Sequence, residues 1–449
     1  AFGNGEGYLE KMIERARQRL AQPDLAGSEL ELFDSYPGIR FPRSASGVDA
    51  LIASRRIRSV GSPSLRDVAG HQHTDDSGAA PPVLLTPGPL TTSERTRRAA
   101  TVDWGSWDRR FNDLTASVRH RLVAASGAAR PVLCVPMQGS GTFAVEAAVR
   151  TLVAPGDRLV GAVNGAYGAR IADMATRAGR RAVVVDAPTN APVPVDAVAD
   201  AFEQHPDARH LAVVHCETAT GLLNPVEDLA DVAHQMGRAL IVDAMSSFGV
   251  LDTAIDHPAV HAVVAASGKC LEGLPGMGFV LVPPDVLDTA AGRCDSLSLD
   301  LVDQHRYMER TGQWRYTPPT HVVAALHEAL LQYEEEGGAP VRLDRYRANR
   351  EALDAGMAAL GFRHYLHESL RTPIIQTFRS PDHPSWSFPT FYDLVKQRGF
   401  VLYPGKLTTE ETFRVGCIGA ITPTVLTAVV GAPVLIALTS GPAPRTFAT

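Results

Sequence analysis

The sequence predicts an α/β protein built on a mostly parallel sheet, followed by a smaller C-terminal α+β domain. Three observations carry this. Between Pro131 and Val282 short apolar runs alternate with stretches of helical periodicity, the pattern of a parallel sheet covered on both faces. The chemically distinctive residues of this region fall just after the apolar runs, where ligands bind in such sheets. Gly337-Gly338 then closes a long helical stretch and marks a boundary.

The totals set the frame. The chain has 449 residues, 20% of them charged and 45% hydrophobic, with a net charge of -6. That is ordinary globular composition for two or three domains. It gives no reason to expect nucleic acid or an anionic membrane as partner. The apolar run Val425–Leu438 is too short to span a bilayer and contains Pro433. Five cysteines, at 134, 216, 270, 294 and 417, show no metal spacing. They read as free thiols, mostly buried, in a reducing compartment such as the cytoplasm.

The first 82 residues differ from the rest. Leu9, Met12, Ile13, Ala16 and Leu20 repeat at helical spacing within Glu6–Gln22, and Pro23 ends that helix. Ser, Pro, Arg and Gly dominate from Asp24 to Pro82, and Gly70–Pro82 reads as a linker. His71-x-His73 reads as linker polarity and not as a metal site. The segment offers no catalytic constellation and is taken as an extension of unknown role.

At Val83 the character changes. A short apolar run stops at Pro87-Gly-Pro89, and two aromatics follow in Asp103-Trp-Gly-Ser-Trp-Asp108. These tryptophans serve equally as packing anchors or as a pocket mouth. Pro131–Pro136 reads as a strand, Gln138-Gly-Ser-Gly-Thr142 as a turn and Phe143–Leu152 as a helix. Strand, glycine-rich turn and helix point free N–H groups and a helix dipole at a phosphate. A plain capped helix is the competing reading. Strands follow at Arg158–Val163, Ala182–Val185, Leu211–His215, Ala239–Asp243, His261–Ala266 and Phe279–Val282. Helices alternate with them at Ala169–Ala178, Val195–Gln204 and Glu227–Gly237, and a long one runs from His321 to Glu334. Beyond it come helices Leu343–Leu360 and Thr390–Arg398, with strands Pro373–Phe378, Val401–Tyr403 and Thr412–Cys417. The expected divisions are 1–82, a large domain 83–337, a small domain 338–430 and a tail 431–449, disordered after Ser440.

The stretch 265–278, AASGKCLEGLPGMG, carries the sharpest chemistry. Lys269 follows one apolar strand, and Asp243 ends another. An amine and a carboxylate so placed suit pyridoxal phosphate. The amine anchors the cofactor covalently, and the acid holds a proton on its ring nitrogen. A lone lysine after a strand is ordinarily a solvated loop charge. Here Ser140, Tyr167, Thr218, Asp243 and Lys269 all follow predicted strands, and that convergence favours the cofactor.

Longer strings resemble one family. LLTPGPLTTS at 84–93, DWGSWD at 103–108, CVPMQGSGTFAVEA at 134–147 and NGAYG at 164–168 are similar to 2-aminoethylphosphonate–pyruvate aminotransferases. So are HCETATG at 215–221, VDAMSSFG at 242–249, KCLEGLPG at 269–276, QWRYTPPTHVVAAL at 313–326 and YPGKLTTEETFRVGCIG at 403–419. The matches run in order from about residue 83 to about 430. The family lies in the alanine–glyoxylate-like branch of fold-type I pyridoxal phosphate enzymes, which are homodimers with active sites at the subunit interface.

The resemblance implies roles. Lys269 is the covalent anchor and proton shuttle, and Asp243 the partner of the ring nitrogen. Ser140, Gly141 and Thr142 bind the cofactor phosphate. Tyr167 stacks on the ring, and Thr218 reaches its substituents. Thr317 contacts the phosphate from the neighbouring subunit. Arg414 holds the anionic end of the substrate, with Arg315 and Lys406 as weaker candidates that read otherwise as a structural ion pair and a solvated loop lysine. No metal is implied. The substrates implied are 2-aminoethylphosphonate and pyruvate, in phosphonate metabolism. Another aminotransferase of the branch, acting on alanine, serine or glyoxylate, and a non-catalytic cofactor-binding module are the alternatives. Two positions depart from the family pattern. Gly268 stands where relatives carry Asn, and Ala219 where they carry Thr, which implies a lower cofactor affinity.

Overall fold

A computed structural model describes residues 81–384, 386–406 and 410–431. The helix expected at Glu6–Gln22, the linker up to residue 80 and the tail beyond 431 lie outside the described residues.

The strands are β1 (Val83–Leu84), β2 (Leu133–Gln138), β3 (Arg158–Val163), β4 (Arg181–Asp186), β5 (Ala208–Val214), β6 (Cys216–Glu217), β7 (Leu222–Leu223), β8 (Ala239–Asp243), β9 (Val260–Ala266) and β10 (Met277–Val282). Then come β11 (Ile375–Arg379), β12 (Phe400–Val401), β13 (Tyr403–Pro404) and β14 (Thr412–Gly416). The helices are α1 (Glu94–Ala99), α2 (Arg109–Ala125), α3 (Gly141–Leu152), α4 (Ala166–Arg177), α5 (Val195–Gln204), α6 (Val226–Gln235), α7 (Pro284–Thr289), α8 (Leu301–Thr311), α9 (Thr320–Glu336), α10 (Gly338–Ala359), α11 (Phe388–Gln397) and α12 (Pro423–Gly431).

The central sheet has seven strands in the order β2-β10-β9-β8-β5-β3-β4. Neighbours from β9 to β4 pair in parallel, while β10 runs antiparallel to both β2 and β9. Its strands are apolar on both faces, as a sheet covered on both sides demands. Alternate residues divide between two cores. Val160, Leu211, Val213, Leu240, Val242, Val263 and Phe279 join Phe111 and Leu122 of α2, Leu229 of α6 and Leu326 of α9. The intervening Leu159, Ala212, Ile241, Val264 and Val280 join Val145 and Leu152 of α3 and Ile171 of α4. Pro136 sits in β2, which bonds only β10, so its missing N–H costs the sheet nothing.

The second sheet is antiparallel, in the order β11-β14-β13. Its core gathers Phe362, Phe378, Phe391 and Phe413 with Leu353 and Met357 of α10. Leu85 belongs to this core, and β1 pairs in parallel with β12. The first described strand therefore packs with the last third of the chain.

Two helix starts differ from expectation for a physical reason. Helices α3 and α4 begin at Gly141 and Ala166, in stretches that read as glycine turns. Glycine is a poor helix former, so the first turns show no periodic signal. Helix α8 was not expected. Four of its residues, Leu301, Val302, Gln304 and Met308, are buried beneath a largely charged surface.

Among the described residues, no helix is long and apolar enough to cross a membrane. No group of three or more His, Cys, Asp or Glu residues among them could hold a metal ion. Cys134, Cys216, Cys270 and Cys417 are buried free thiols, and Cys294 is half-buried.

Candidate active site

Strands β2, β3, β5, β8 and β9 run the same way, so their carboxyl ends share one edge of the sheet. Asp243 ends β8 and lies in register with Val214 and Val264. It is 5% exposed. Met245 N–H donates to its Oδ1 at 2.9 Å, and this is the one hydrogen bond of its carboxylate among the described residues. Burial pushes its carboxyl up to about 6, while the Lys269 ammonium pulls it the other way.

Lys269 stands three residues past β9. Its Nζ donates to the Pro87 carbonyl. Burial pushes the amine down to about 8, with Asp243 opposing the shift and Arg414 adding to it. The chain thus builds an amine poised near neutrality beside a buried carboxylate with acceptor capacity to spare. The backbone behind the lysine is fixed. Arg342 Nη1 donates to the Cys270 carbonyl at 2.9 Å, and Tyr346 Oη to Glu272 Oε1 at 2.7 Å.

The turn after β2 leads into α3. Ser140 is its N-cap, yet the serine side chain makes no capping hydrogen bond. It is exposed, and Gly141 and Thr142 are half-buried. A Cβ at Gly141 would stand 2.3 Å from Met245 Sδ, so only glycine fits this close crossing. The helix start keeps uncapped N–H groups aimed toward the sheet edge, as an anion requires. Arg170 Nη1 donates to Thr142 Oγ1 at 3.2 Å.

Tyr167 lies in the first turn of α4. The Arg170 guanidinium stands 4.7 Å from its ring centre, and Lys406 Nζ 4.6 Å. Beneath it Glu217 is fully buried. The Glu217 carboxylate accepts from Tyr167 N at 3.3 Å, Gly168 N at 3.4 Å and Ala219 N at 3.0 Å. It caps α4 from a distant segment. Burial raises its carboxyl above the usual range, and the three backbone donors oppose this. A Cβ at Gly165 would meet Glu217 Cδ at 2.4 Å, which explains the glycine before the tyrosine.

Arg414, on β14, is 5% exposed. Its Nε donates to Pro404 O and its Nη1 to Thr218 O, each at 2.9 Å. Burial lowers its pKa, opposed by Tyr167, Tyr403 and Glu217. Thr218 is also buried, its Oγ1 2.6 Å from Ser246 Oγ. The small antiparallel sheet thereby delivers a cation to the edge of the large one.

Lys269, Asp243, Tyr167, Thr218 and Arg414 are therefore brought together, with the Ser140–Thr142 turn linked to them through Arg170. Thr317 is not. It is exposed between α8 and α9, and no hydrogen bond among the described residues involves it. Arg315 forms an ion pair with Asp303 at 2.9 Å, as its structural reading expects. Lys406, expected as a solvated loop lysine, instead lies against Tyr167. Sequence reasoning missed Arg170 and Glu217. The spacing of Arg170 from Tyr167 on one helix was the available signal for the first. Gly268 leaves little room, since a Cβ there would stand 3.1 Å from Pro275 Cα. Ala219 is fully buried.

A desolvated amine, a buried carboxylate and an uncapped helix start on one sheet edge define a pyridoxal phosphate-dependent enzyme. The residues fit the cofactor: Asp243 has a vacant acceptor for a protonated ring nitrogen, and α3 offers donors for a phosphate. The chain belongs to the aminotransferase class-V family, whose sequence profile matches residues 105–385. It is 54% identical over 344 residues to the 2-aminoethylphosphonate–pyruvate transaminase of Pseudomonas fluorescens (strain Pf0-1), covering 77% of this chain and 93% of the relative. The enzyme of the same name from Pseudomonas aeruginosa PAO1 is 55% identical, with 75% and 91% covered. Among solved structures, the alanine–glyoxylate aminotransferase of Nostoc sp. superposes with a TM-score of 0.72 at 24% identity, over 83% of this chain and all of that one. The subgroup IV aspartate aminotransferase of Thermus thermophilus gives 0.70 at 25% identity, over 78% and 97%. The fold is that of a fold-type I pyridoxal phosphate aminotransferase, and pyridoxal phosphate is the cofactor.

Proposed function

We propose that this chain moves the amino group of 2-aminoethylphosphonate to pyruvate, giving phosphonoacetaldehyde and L-alanine. The observation that carries this is the identity above 50% with transaminases of that name, over nine-tenths of their length. In this reading Lys269 anchors the cofactor. Ser140, Gly141 and Thr142 hold its phosphate, Tyr167 stacks on its ring and Thr218 borders it. When bound, the cofactor supplies an electron sink that acidifies the substrate carbon bearing the amine. Lys269 takes the proton from that carbon and returns it elsewhere, which its lowered pKa suits. Asp243 keeps a proton on the ring nitrogen. Arg414 binds the phosphonate in one half-reaction and the pyruvate carboxylate in the other.

The donor sets a geometric demand. Its amine-bearing carbon has no carboxylate, and its anion lies one carbon further out than in an α-amino acid. Single-turnover rates should therefore favour 2-aminoethylphosphonate over L-serine and β-alanine, with L-alanine active as the product of the reverse reaction. A preference for L-serine would overturn the substrate. Arg414→Lys should slow both half-reactions by about 10–100-fold, the loss of one or two charge-assisted hydrogen bonds of roughly 1.5–3 kcal/mol, because a point charge does not replace a planar fork.

The same reading makes the enzyme a cytoplasmic homodimer, its free thiols suited to a reducing compartment. The chain beyond 82 divides near residue 337, and Thr317 serves the partner's site. Thr317 offers a hydroxyl that no hydrogen bond among the described residues uses. Mixing Lys269→Ala subunits with Thr317→Val subunits should restore one working site per hybrid dimer, provided each variant alone is inactive. Verified subunit exchange without recovered activity would count against the shared site.

A further inference from the structure

We infer that Lys406 is the second cation of the substrate's anion site and selects a phosphonate over a carboxylate. This rests on the proposed function and deepens it by naming what discriminates the two substrates.

The argument begins with what Arg414 has left to give. A guanidinium carries five N–H groups. One at Nε and one at Nη1 are committed to the carbonyls of Pro404 and Thr218. A further hydrogen bond goes to the Tyr167 side chain, and the N–H groups that remain can satisfy the two oxygens of a carboxylate. A phosphonate presents three oxygens and a second ionisable charge, which one partly committed cation leaves unmatched.

Lys406 is held where that charge falls. Tyr403 pairs with Arg414 across β13 and β14. Arg414 Nε ties down Pro404, and Gly405 N–H donates to the Thr412 carbonyl at 2.7 Å. The segment leading to Lys406 is therefore clamped to the strand that carries Arg414. From there Lys406 Nζ lies 4.6 Å from the Tyr167 ring centre, and Tyr167 is also a neighbour of the Arg414 guanidinium. Amine and guanidinium therefore meet the same tyrosine, the amine at its ring and the guanidinium by a side-chain hydrogen bond.

The charges around Lys406 are Arg170, Arg414 and Glu217, with the Tyr167 phenol beside them. Two of the three are cations, and together with burial they lower the Lys406 pKa. Glu217 opposes them, its carboxylate already accepting from three backbone N–H groups. Among the described residues no carboxylate lies within ion-pair distance of Lys406. A structural lysine is ordinarily paired or solvated, whereas this one is half-buried on a cationic rim that an incoming dianion would complete. Arg170 is bonded to Thr142 of the turn assigned to the cofactor phosphate, which leaves Lys406 to the substrate.

The test uses the holoenzyme and two unreactive probes, ethylphosphonate and propionate, with affinities measured by calorimetry. Lys406→Met should lose at least tenfold more affinity for ethylphosphonate than for propionate. Lys406→Gln should do the same, which separates charge from packing, and Lys406→Arg should retain most of the preference. With 2-aminoethylphosphonate, the loss should appear in KM more than in kcat. Equal losses for both probes, or unchanged affinities, would overturn the assignment. Wild-type enzyme that fails to convert 2-aminoethylphosphonate would sink the proposed function. A wild-type preference for ethylphosphonate that survives Lys406→Met would sink this inference alone.

Discussion

Lys269→Ala should abolish turnover and leave the fold intact. Among the described residues the side chain makes one hydrogen bond, to the Pro87 carbonyl, and no secondary-structure element hangs on it. General acid–base catalysis contributes roughly 10²–10⁴-fold, and the covalent anchor goes with it, so the rate should fall by at least that much. The lysine also has a titration signature. Burial lowers its amine to about 8, against about 10.4 for a free lysine. In cofactor-free protein, an amine-reactive reagent should modify Lys269 with a midpoint near pH 8, located by peptide mapping. The sign for stability follows. Between these two values the unfolded chain binds more protons than the folded one, so stability contributed by this group rises with pH there. It is absent below the folded value. Lys269→Met should therefore raise the melting temperature of the cofactor-free protein near pH 7 and change it less near pH 10. Residual turnover within tenfold of wild type, or labelling of a different lysine, would remove Lys269 from the role.

Asp243→Asn should be the second most damaging change. The amide oxygen can still accept from Met245 N–H, so the end of β8 survives. What is lost is the negative charge opposite the ring nitrogen, in a site where burial already works against ionisation. Removing one partner of a buried charge pair costs about 3–5 kcal/mol, which corresponds to roughly a hundred- to several-thousand-fold in rate if the cost falls on the transition state. Cofactor retention should drop much less, because the phosphate cradle and Lys269 remain. Absorbance of the bound cofactor measures occupancy, and single-turnover kinetics measures the rate. Near wild-type turnover with full occupancy would exclude the carboxylate from ring protonation.

The two predictions differ in how legible their residues are. Lys269 and Asp243 can be read from the sequence because Asp243 ends one apolar strand and Lys269 comes soon after another, and parallel strands present their carboxyl ends on one edge. The strands Arg158–Val163 and Ala239–Asp243 fall where periodicity puts them. The antiparallel direction of β10 has no such signal, since a fully buried strand is apolar whichever way it runs. Glu217 was hidden for a different reason. Its burial depends on N–H groups of Tyr167 and Gly168, contributed some fifty positions away along the chain. The same contact hid the start of α4, because its cap comes from another strand instead of a neighbouring residue. Lys406 was legible only as a weak candidate within the matched string at 403–419. Its setting is made by Tyr167 and Arg414, and only the folded chain puts those side by side.

The pairing of β1 with β12 bears on the order in which the enzyme is made. The seven-stranded sheet is complete once Val282 has been synthesised. The Pro87 carbonyl that receives the Lys269 amine lies between Leu85, whose carbonyl accepts from Gly416 N–H at 3.0 Å, and Thr91, whose carbonyl accepts from Ala420 N–H at 2.8 Å. A nascent chain still on the ribosome can thus assemble its large sheet while the seat of the Lys269 amine waits for residues more than a hundred positions later. Arg414 arrives with the same late segment. Translation thus keeps Lys269 and Arg414 apart until the second sheet has been made, so a product truncated before that segment would inherit the large sheet without Arg414.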